Sequence, residues 1–298
     1  MLSQVAQTMH KFVKQCENKQ VLNLYNQIEQ GKMLRSKLIL LIAGQTPQAV
    51  ELCAVVELIH LSSLLHDDVL DEASTRRGKP TIHILFDTKT AIMLGDVLYS
   101  KAFSQLSLIH KDVAYCISSA VTALSIGELL DIELSKSFNT NQELYMDMIN
   151  KKTASLIEAS TKSAAILSNK DRDKFAIYGK SLGLSFQIID DILDITQNSE
   201  TLGKPAMSDF KDGKTTLSYM LLYQELSNDD KTKLKSYFKK SLTKDELSWI
   251  KNNMTKHDIL NKTKQIARQL AQNGLNAIKN EQNKKLFDII NDILNRER

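Results

Sequence analysis

The sequence predicts an all-α protein. Apolar residues recur at three- and four-residue spacing along most of the 298 residues, which is the period of an amphipathic helix. Only 3 Pro and 10 Gly are present, so few breakers interrupt this pattern. We find no alternating strand pattern of useful length and no internal repeat. These observations exclude a many-turned β-sandwich, a collagen-like chain and a long disordered linker.

The helical pattern is clearest in Val50–Leu70, where apolar residues surround most of the segment and predict a buried helix. The other predicted helical segments are 89–108, 112–135, 142–168, 171–195, 215–226 and 260–294. Two loops, Glu72–Pro80 and Asn198–Gly213, follow acidic helix ends; both contain Gly and Lys, and the first also contains two Arg. The arrangement predicts one domain, 1–298, with functional loops at one end of a helical bundle.

The composition is that of a soluble globular protein, with 25% charged and 42% hydrophobic residues. The net charge of +4 is too small to indicate a nucleic-acid partner. The three cysteines form no C-x-x-C pair and favour a reducing compartment. The start of the chain lacks a secretory signature, and the densest apolar run, Leu38–Gly44, is too short to cross a bilayer. We therefore expect a cytoplasmic protein. Its basic residues 228–298 would make at most peripheral membrane contact.

Two D-D-x-x-D motifs each end a long apolar helix. The first is Asp67, Asp68 and Asp71, and the second is Asp190, Asp191 and Asp194. Carboxylates at i and i+4 share a helix face and repel each other, so structure alone has no use for them. Oxygen ligands that replace water only in part favour Mg²⁺. The alternative to a metal site is a solvated acidic helix end. The presence of two matching motifs in apolar helices argues against that alternative.

Cationic residues accompany both motifs. Arg76 and Arg77 follow the first, Lys204 and Lys214 follow the second, and Lys32, Arg35 and Lys152 lie elsewhere in the chain. Each lysine alone would be read as a solvated surface residue. Together with the carboxylates these residues describe a clamp for Mg²⁺-bridged diphosphate, with room for more than one diphosphate. His60 lies two helical turns before Asp67 on the same side, either as a half-buried structural histidine or as a phosphate contact.

These motifs resemble those of the trans-prenyl diphosphate synthase family. HDDVLDEASTRRGKPT is similar to the family's first aspartate-rich motif, and GLSFQIIDDILDITQNSETLGKPAMSDFKDGKTTL is similar to the second. The match runs in order from Gly31 to Thr216. One motif departs from the pattern: the usual G-G-K-R-x-R-P is replaced by Gln30–Ser36, which keeps the Lys and the second Arg but lacks the first Arg and the Pro.

The resemblance implies an isoprenoid-synthase-type helical bundle around a central cavity, usually a homodimer. It implies two or three Mg²⁺ ions held by the six aspartates, with an allylic diphosphate bound between the two clusters. The residues around its diphosphate would be Arg76, Lys152, Thr153, Gln187, Lys204 and Lys214. Those that hold isopentenyl diphosphate would be Lys32, Arg35, His60 and Arg77. The residues expected to matter most for catalysis are Asp67, Asp68, Asp71, Arg76, Lys152, Asp190 and Lys204.

Ser62 and Ser63, one turn before the first motif, bear on product length. A large aromatic residue here would close the tunnel for the prenyl tail, as in short-chain members of the family. Two serines predict a medium or long all-trans product of the octaprenyl class, grown from farnesyl diphosphate and used for a quinone side chain. Alternatively, both serines simply pack against a neighbouring helix, and the product is a farnesyl or geranylgeranyl diphosphate.

Three other functions fit less well. A terpene cyclase would be expected to lack the second D-D-x-x-D motif and the Arg pair. A non-catalytic subunit of a heteromeric synthase would be expected to lose metal ligands, whereas all six aspartates are present. A purely structural helical scaffold would leave the acidic and basic loops unexplained.

Overall fold

The computed structural model describes residues 1–196 and 207–296, and these are almost entirely helical. In chain order the helices are α1 Leu2–Lys14, α2 Lys19–Tyr25, α3 Leu34–Ala43, α4 Pro47–Leu70, α5 Ile82–Leu85, α6 Thr88–Leu106, α7 Lys111–Leu134, α8 Gln142–Ile149, a π-helix Asn150–Ala154, α9 Ser155–Leu167, α10 Arg172–Thr196, α11 Ser208–Lys211, α12 Leu217–Glu225, α13 Asn228–Tyr237, α14 Lys244–Lys256, α15 Ile259–Ala277 and α16 Lys284–Leu294. Two short strands, β1 Thr75–Arg76 and β2 Lys79–Pro80, pair antiparallel. The all-α prediction is confirmed.

The chain forms two compact units, each built from two stretches of sequence. Unit 1 contains Met1–Val121 and Ala159–Ala176, and unit 2 contains Thr122–Glu158 and Ile177–Arg298. Helices α7 and α10 contribute residues to both units. Each unit carries one of the two D-D-x-x-D motifs. The expectation of a single domain over 1–298 stays a prediction.

The central helix of unit 1 is α4, which ends in the first motif. Its start is fixed by Thr46, whose hydroxyl oxygen accepts a hydrogen bond from the Ala49 amide at 3.2 Å, and by Pro47 at the first helical position. Helix α4 is buried on most of its surface against α6, α3 and α1. A helix with apolar residues all round is stable only when surrounded in this way. The motif therefore stands on a rigid element.

The core of unit 2 lies beside the end of the second motif. Ile195, directly after Asp194, belongs to a buried cluster of side chains. Within this cluster the Phe210 and Tyr219 rings stack with centroids 4.2 Å apart. Helices α12, α14 and α15 supply much of the remainder. The apolar packing holds the C-terminal end of α10, and with it the second motif, in place.

The predicted helix boundaries need four corrections. The 260–294 segment is not one helix, because α15 ends at Ala277 and α16 begins at Lys284. The 142–168 segment is helical but is interrupted by the π-helix. The predicted loop around Gln30–Ser36 already contains the start of α3, and the Glu72–Pro80 loop contains the β1–β2 hairpin. Each feature depends on contacts with neighbouring elements that periodicity does not report.

Among the described residues, two helices are longer than the Leu38–Gly44 run that the sequence pattern singled out. Helices α4 and α7 each have 24 residues, and by length and composition either could cross a membrane. The apolar window of α4 is 72% buried inside the protein, whereas that of α7 is 33% buried. The length of the densest apolar run therefore underestimated the length of these two apolar helices.

Candidate active site

The first aspartate motif lies at the C-terminal end of α4 in unit 1. Asp68 is buried, and two nitrogens of the Arg76 guanidinium donate to its Oδ1, Nη2 at 2.7 Å and Nε at 2.8 Å. Asp67 is half-buried and Asp71 is exposed. Asp67 and Asp71 share a helix face one turn apart and are both more exposed than Asp68, so a metal ion can reach them more readily.

The Arg76-Arg77 pair is held by the β1–β2 hairpin. Arg77 and Gly78 form its turn, both with positive φ values, 53° and 77°, as a tight two-residue hairpin turn requires. Arg77 Nη1 donates to the backbone carbonyl of Glu29 at 2.7 Å. A Cβ at Gly31 would lie 2.6 Å from Arg77 Nη2, so the missing side chain leaves room for the guanidinium. The hairpin therefore brings the arginine pair to the N-terminal loop.

His60 lies among three arginines of unit 1. Burial lowers the pKa of His60 well below 6.5, and the positive charges of Arg35, Arg76 and Arg77 lower it further. The imidazole is therefore neutral at physiological pH and can donate one hydrogen bond. Three guanidinium groups beside a neutral imidazole form a site that attracts an anion. The role of His60 in substrate binding stays a prediction.

The two basic residues of the N-terminal motif, Lys32 and Arg35, lie just before and within the first turn of α3. Lys32 is exposed, and Met33 is the residue before the helix, with a left-handed backbone at φ 50°. Arg35 is in the first helical turn, and its Nε is buried without a hydrogen-bond partner. An unpaired buried donor is costly unless a ligand accepts from it. Arg35 therefore points to an acceptor that binds in unit 1.

The second motif lies on α10 in unit 2, where its middle aspartate has neutral partners. The Asp191 carboxylate is buried and accepts hydrogen bonds from the Tyr145 hydroxyl at 2.5 Å and from Gln187 Nε2 at 2.8 Å. Thr153 Oγ1 donates in turn to Gln187 Oε1 at 2.7 Å. Burial raises the pKa of Asp191 well above its usual range, and the nearby charge of Asp209 raises it further. Asp191 is thus part of a closed hydrogen-bond network.

The other two aspartates of the second motif differ from each other. Asp194 is buried and accepts from the Ser208 hydroxyl at 2.8 Å and from the Asp209 amide at 3.2 Å. Asp190 has a side chain that is 51% exposed, and Arg296 Nη1 lies 3.4 Å from its Oδ1. The prediction that all six aspartates hold metal stays untested. Within this motif the geometry favours Asp190, which is exposed.

Lys152 lies in a buried ion cluster that the sequence analysis missed. Its Nζ is 2.6 Å from Asp131 Oδ2 and 2.8 Å from Glu128 Oε2, both on α7. Burial alone would lower the pKa of Lys152, but Asp131 and Glu128 raise it above its usual value. Lys152 is therefore a permanently charged group with two fixed partners. The signal was present as G-E-L-L-D at 127–131, two acidic residues at i and i+3 in an otherwise apolar helix.

The π-helix that carries Lys152 and Thr153 is packed through two glycines. A Cβ at Gly127 on α7 would lie 2.3 Å from the Lys152 backbone nitrogen. A Cβ at Gly183 on α10 would lie 2.6 Å from the Ala154 Cα. Only glycine allows both approaches. Single π turns inside helices are frequent at functional sites, and this one aims Lys152 at α7 and Thr153 at Gln187.

The remaining predicted residues have mixed outcomes. Lys204 lies outside the described residues. Lys214 is half-buried just after α11. Ser62 and Ser63 are buried, and their hydroxyls donate to the backbone carbonyls of Leu58 and His60 at 2.9 and 2.8 Å. Their roles in substrate binding and product length stay predictions.

Residues 18–254 match the family described as polyprenyl synthetase. The chain belongs to the polyprenyl synthetase family. The recognition of this family from the aspartate motifs is confirmed, since the match includes both motifs.

Solved and curated relatives show the breadth of the polyprenyl synthetase family. A crystal structure of octaprenyl pyrophosphate synthase from Helicobacter pylori is 42% identical, with a TM-score of 0.94, and the alignment covers 99% of this chain and 98% of that one. A decaprenyl diphosphate synthase from Rhodobacter capsulatus is 27% identical, with a TM-score of 0.92 over 100% and 96% of the two chains. A short chain isoprenyl diphosphate synthase from Methanothermobacter thermautotrophicus is 38% identical over 217 residues, 68% of this chain and 66% of that protein. The matched part is thus slightly under two thirds of this curated relative's own length.

The carboxylates of both motifs suit Mg²⁺ by their chemistry. Among residues 1–196 and 207–296, no three His, Cys, Asp or Glu side chains are gathered closely enough to hold a metal by themselves. Mg²⁺ in proteins is commonly bound by one or two carboxylates together with substrate phosphates and water. Asp67 and Asp71, one helical turn apart, and the exposed Asp190 provide such incomplete ligand sets. These residues of the polyprenyl synthetase are therefore suited to Mg²⁺ whose remaining ligands are phosphate oxygens and water.

Proposed function

We propose that this protein is a Mg²⁺-dependent trans-polyprenyl diphosphate synthase. It elongates an allylic diphosphate, with farnesyl diphosphate as the starter, by successive head-to-tail condensation with isopentenyl diphosphate. Membership of the polyprenyl synthetase family supports this reaction class.

The observation that carries the proposal is the cluster of unit 1. Arg35, Arg76 and Arg77 all act electrostatically on His60, and Arg76 in turn binds Asp68 of the first motif. Carboxylates and guanidinium groups therefore lie side by side in one small region. Carboxylates repel a free diphosphate but bind one through Mg²⁺, whereas arginines bind phosphate oxygens directly. A site with both kinds of group is suited to diphosphate esters with and without bound metal.

The chemistry begins with cleavage of the allylic C–O bond, which places negative charge on the departing diphosphate. Aspartates of each motif would hold Mg²⁺, which would supply positive charge at that diphosphate when bound. Arg76 and Lys152 add fixed cationic groups, and the proposal gives Lys204 and Lys214 the same role. Lys32, Arg35, His60 and Arg77 hold isopentenyl diphosphate. Thr153 and Gln187 fix each other's orientation in the allylic site.

The allylic carbocation must be kept from water until the double bond of isopentenyl diphosphate attacks it. A proton then leaves the new intermediate. No side-chain base is needed, because the released diphosphate can accept that proton. This assignment gives the protein a role of binding, orientation and charge stabilisation, without a protein nucleophile.

For the product we propose a chain of the octaprenyl class, for use as a quinone side chain. Small residues at Ser62 and Ser63 support it, because their hydroxyls bond to their own helix and leave little side-chain volume outside it. The likeness to the Helicobacter pylori octaprenyl synthase also supports it. The competing proposal is a shorter product, which the likeness to a short chain synthase favours. Ser63→Phe or Ser62→Phe would shorten an octaprenyl product and leave a short product unchanged.

We further propose a homodimer formed through α7. Large apolar side chains on this helix are exposed in the single chain: Tyr115 by 77%, Leu129 by 67%, Ile126 by 43% and Ile132 by 40%. These form a stripe along a helix whose apolar window is 33% buried. A second copy would cover it with the same apolar residues. Leu129→Asp should convert a dimer to a monomer in light scattering, and a monomeric parent protein would refute the proposal. We also propose a cytoplasmic location, because the cysteines form no C-x-x-C pair and favour a reducing compartment.

The test of function is a radiolabelled elongation assay. Purified protein is incubated with farnesyl diphosphate and labelled isopentenyl diphosphate, with Mg²⁺ or with EDTA. We expect label in an extended prenyl chain with Mg²⁺ and none with EDTA. The absence of extended product at any Mg²⁺ concentration would contradict the proposal.

A further inference from the structure

Ser36, the last residue of the Gln30–Ser36 motif, lies in the first turn of α3 and forms hydrogen bonds to another helix. Ser36 is fully buried, and its amide and hydroxyl both donate to Glu57 Oε1, at 3.2 and 2.7 Å. Glu57 lies on α4 and is 7% exposed. A buried carboxylate on one helix thus receives two hydrogen bonds from a single residue of another.

The Glu57 carboxylate completes the N-terminus of α3. Ser36 is the third residue of that helix, and its amide has no acceptor within the helix. Met33, the residue before the helix, provides no side-chain cap. A negative charge at this position also interacts favourably with the helix dipole. Glu57 therefore performs, from α4, the function that a capping side chain normally performs locally.

The same carboxylate is an opposing charge that acts on Arg35. Burial lowers the pKa of the Arg35 guanidinium, and the charge of Glu57 opposes that shift. Arg35 Nε is nevertheless buried without a hydrogen-bond partner, so Glu57 supports the charge without consuming this donor. Arg35 in turn acts on His60, one helical turn beyond Glu57 on α4. The arrangement fixes the backbone and the charge of Arg35 and leaves its guanidinium for a ligand.

We propose that Ser36 and Glu57 are positioning residues that set Arg35 for isopentenyl diphosphate. The inference rests on the proposed function, because it assigns the acceptor of Arg35 to the diphosphate of that substrate. The inference also accounts for the serine at position 36, where the family's motif usually has proline. A proline at position 36 would have no amide hydrogen and no hydroxyl, so neither bond to Glu57 could form.

The prediction is a selective change in the Michaelis constant for isopentenyl diphosphate. For Ser36→Ala, which keeps the amide, we expect a rise of about tenfold, and for Ser36→Pro and Glu57→Gln a larger rise, since each lost factor of ten corresponds to about 1.4 kcal/mol. The Michaelis constant for farnesyl diphosphate should change less than about twofold. Ser36→Thr keeps both donors and should restore the parent value.

The matched control is Thr161→Val, which removes another buried hydroxyl bond in unit 1, from Thr161 Oγ1 to the Phe175 carbonyl. It should leave both Michaelis constants unchanged. Circular dichroism identifies any variant that does not fold, and Ser36→Thr against Ser36→Ala remains decisive if Glu57→Gln fails. Equal effects on both substrates, or none on either, would overturn the inference while the parent enzyme stays active. An inactive parent would overturn the proposed function instead.

Discussion

Asp68 and Asp191 occupy the same middle position of their D-D-x-x-D motifs, yet their partners differ in charge. Asp68 binds a guanidinium, that of Arg76, whose side chain is 36% exposed. Among residues 1–196 and 207–296, the donors to the buried Asp191 are the Tyr145 hydroxyl and the Gln187 amide, both of which are neutral. The first aspartate is held by a salt bridge near water, and the second by a closed network away from it. An identical sequence pattern therefore does not imply an identical physical role.

The difference extends to the cations of the two units. In unit 1 the guanidinium groups of Arg35, Arg76 and Arg77 lie around a neutral His60. In unit 2 Lys152 is neutralised by Glu128 and Asp131 before any ligand arrives. Unit 1 thus combines arginines with the carboxylates of Asp68 and Glu57, whereas unit 2 places one lysine between two carboxylates. Substitutions in the two units test this contrast.

The ion cluster of unit 2 should be the most sensitive to loss of one member. Lys152→Ala leaves two buried carboxylates without a counter-charge, and we expect about 3–5 kcal/mol less free energy of unfolding in urea titrations. Lys151→Ala is the control, because its exposed pair with Asp147 should contribute about 0–1 kcal/mol. Adding Glu128→Gln and Asp131→Asn to Lys152→Ala should recover part of the loss. Equal effects for the two lysines would show that the cluster is not a coupled unit.

The first aspartate of each motif should matter for turnover rather than for stability. Asp67→Asn and Asp190→Asn should each reduce kcat by about 10²–10³-fold, as expected when a group that stabilises transition-state charge is removed. The free energy of unfolding should change by about 0.5 kcal/mol or less. Asp173→Asn, an exposed aspartate on the same helix as Asp190, should leave kcat unchanged. A normal kcat in either motif variant would exclude that aspartate from the metal site.

The two middle aspartates should respond differently to salt. Tyr145→Phe removes one of the two hydrogen-bond donors of the buried Asp191 and should lower the free energy of unfolding by about 1–3 kcal/mol at any salt concentration. Arg76→Met should lower it by about 1 kcal/mol at low salt and by less at about 1 M, where exposed charges are screened. Thr255→Val, which removes an exposed hydroxyl, is the control and should have little effect. Equal salt dependence of the two variants would contradict the contrast.

His60 should contribute a small dependence of stability on pH. Its pKa is lowered in the folded protein, so below about pH 6.5 the unfolded chain binds a proton that the folded protein does not. Stability should therefore fall as the pH decreases, by at most about 1.4 kcal/mol per pH unit. His60→Gln should remove this slope between about pH 6.5 and 5, and the exposed His10→Gln should not. A slope unchanged in His60→Gln would mean that the arginines do not surround a neutral imidazole.

The sequence predicted those features that depend on residue spacing. Helical periodicity indicated α4 and α10, and the placement of D-D-x-x-D at their ends followed directly. Arg76 of the arginine pair binds Asp68, a contact that the sequence did not predict. Local pattern and the family resemblance therefore sufficed for the fold class, whereas the roles of the candidate site residues in unit 1 stay predictions.

Contacts between distant residues were beyond such reasoning. Nothing in the sequence around Tyr145 indicates that its hydroxyl binds Asp191, 46 residues later. Ser36 and Glu57 are separated by 21 residues and belong to different helices, so the capping of α3 from α4 had no local signature. The π turn at Asn150–Ala154 depends on the small size of Gly127 and Gly183 on two other helices. These are tertiary effects that determine how the motif residues are held.

The central claim is that the aspartates bind diphosphate only through Mg²⁺. Isothermal titration of the protein with an unreactive farnesyl diphosphate analogue, with Mg²⁺ and then with EDTA, measures this directly. We predict saturable binding with Mg²⁺ that weakens by at least about 100-fold with EDTA, a difference of about 2.7 kcal/mol. Equal affinity in the two conditions would contradict the account, because the arginines and lysines alone would then suffice to bind the allylic substrate.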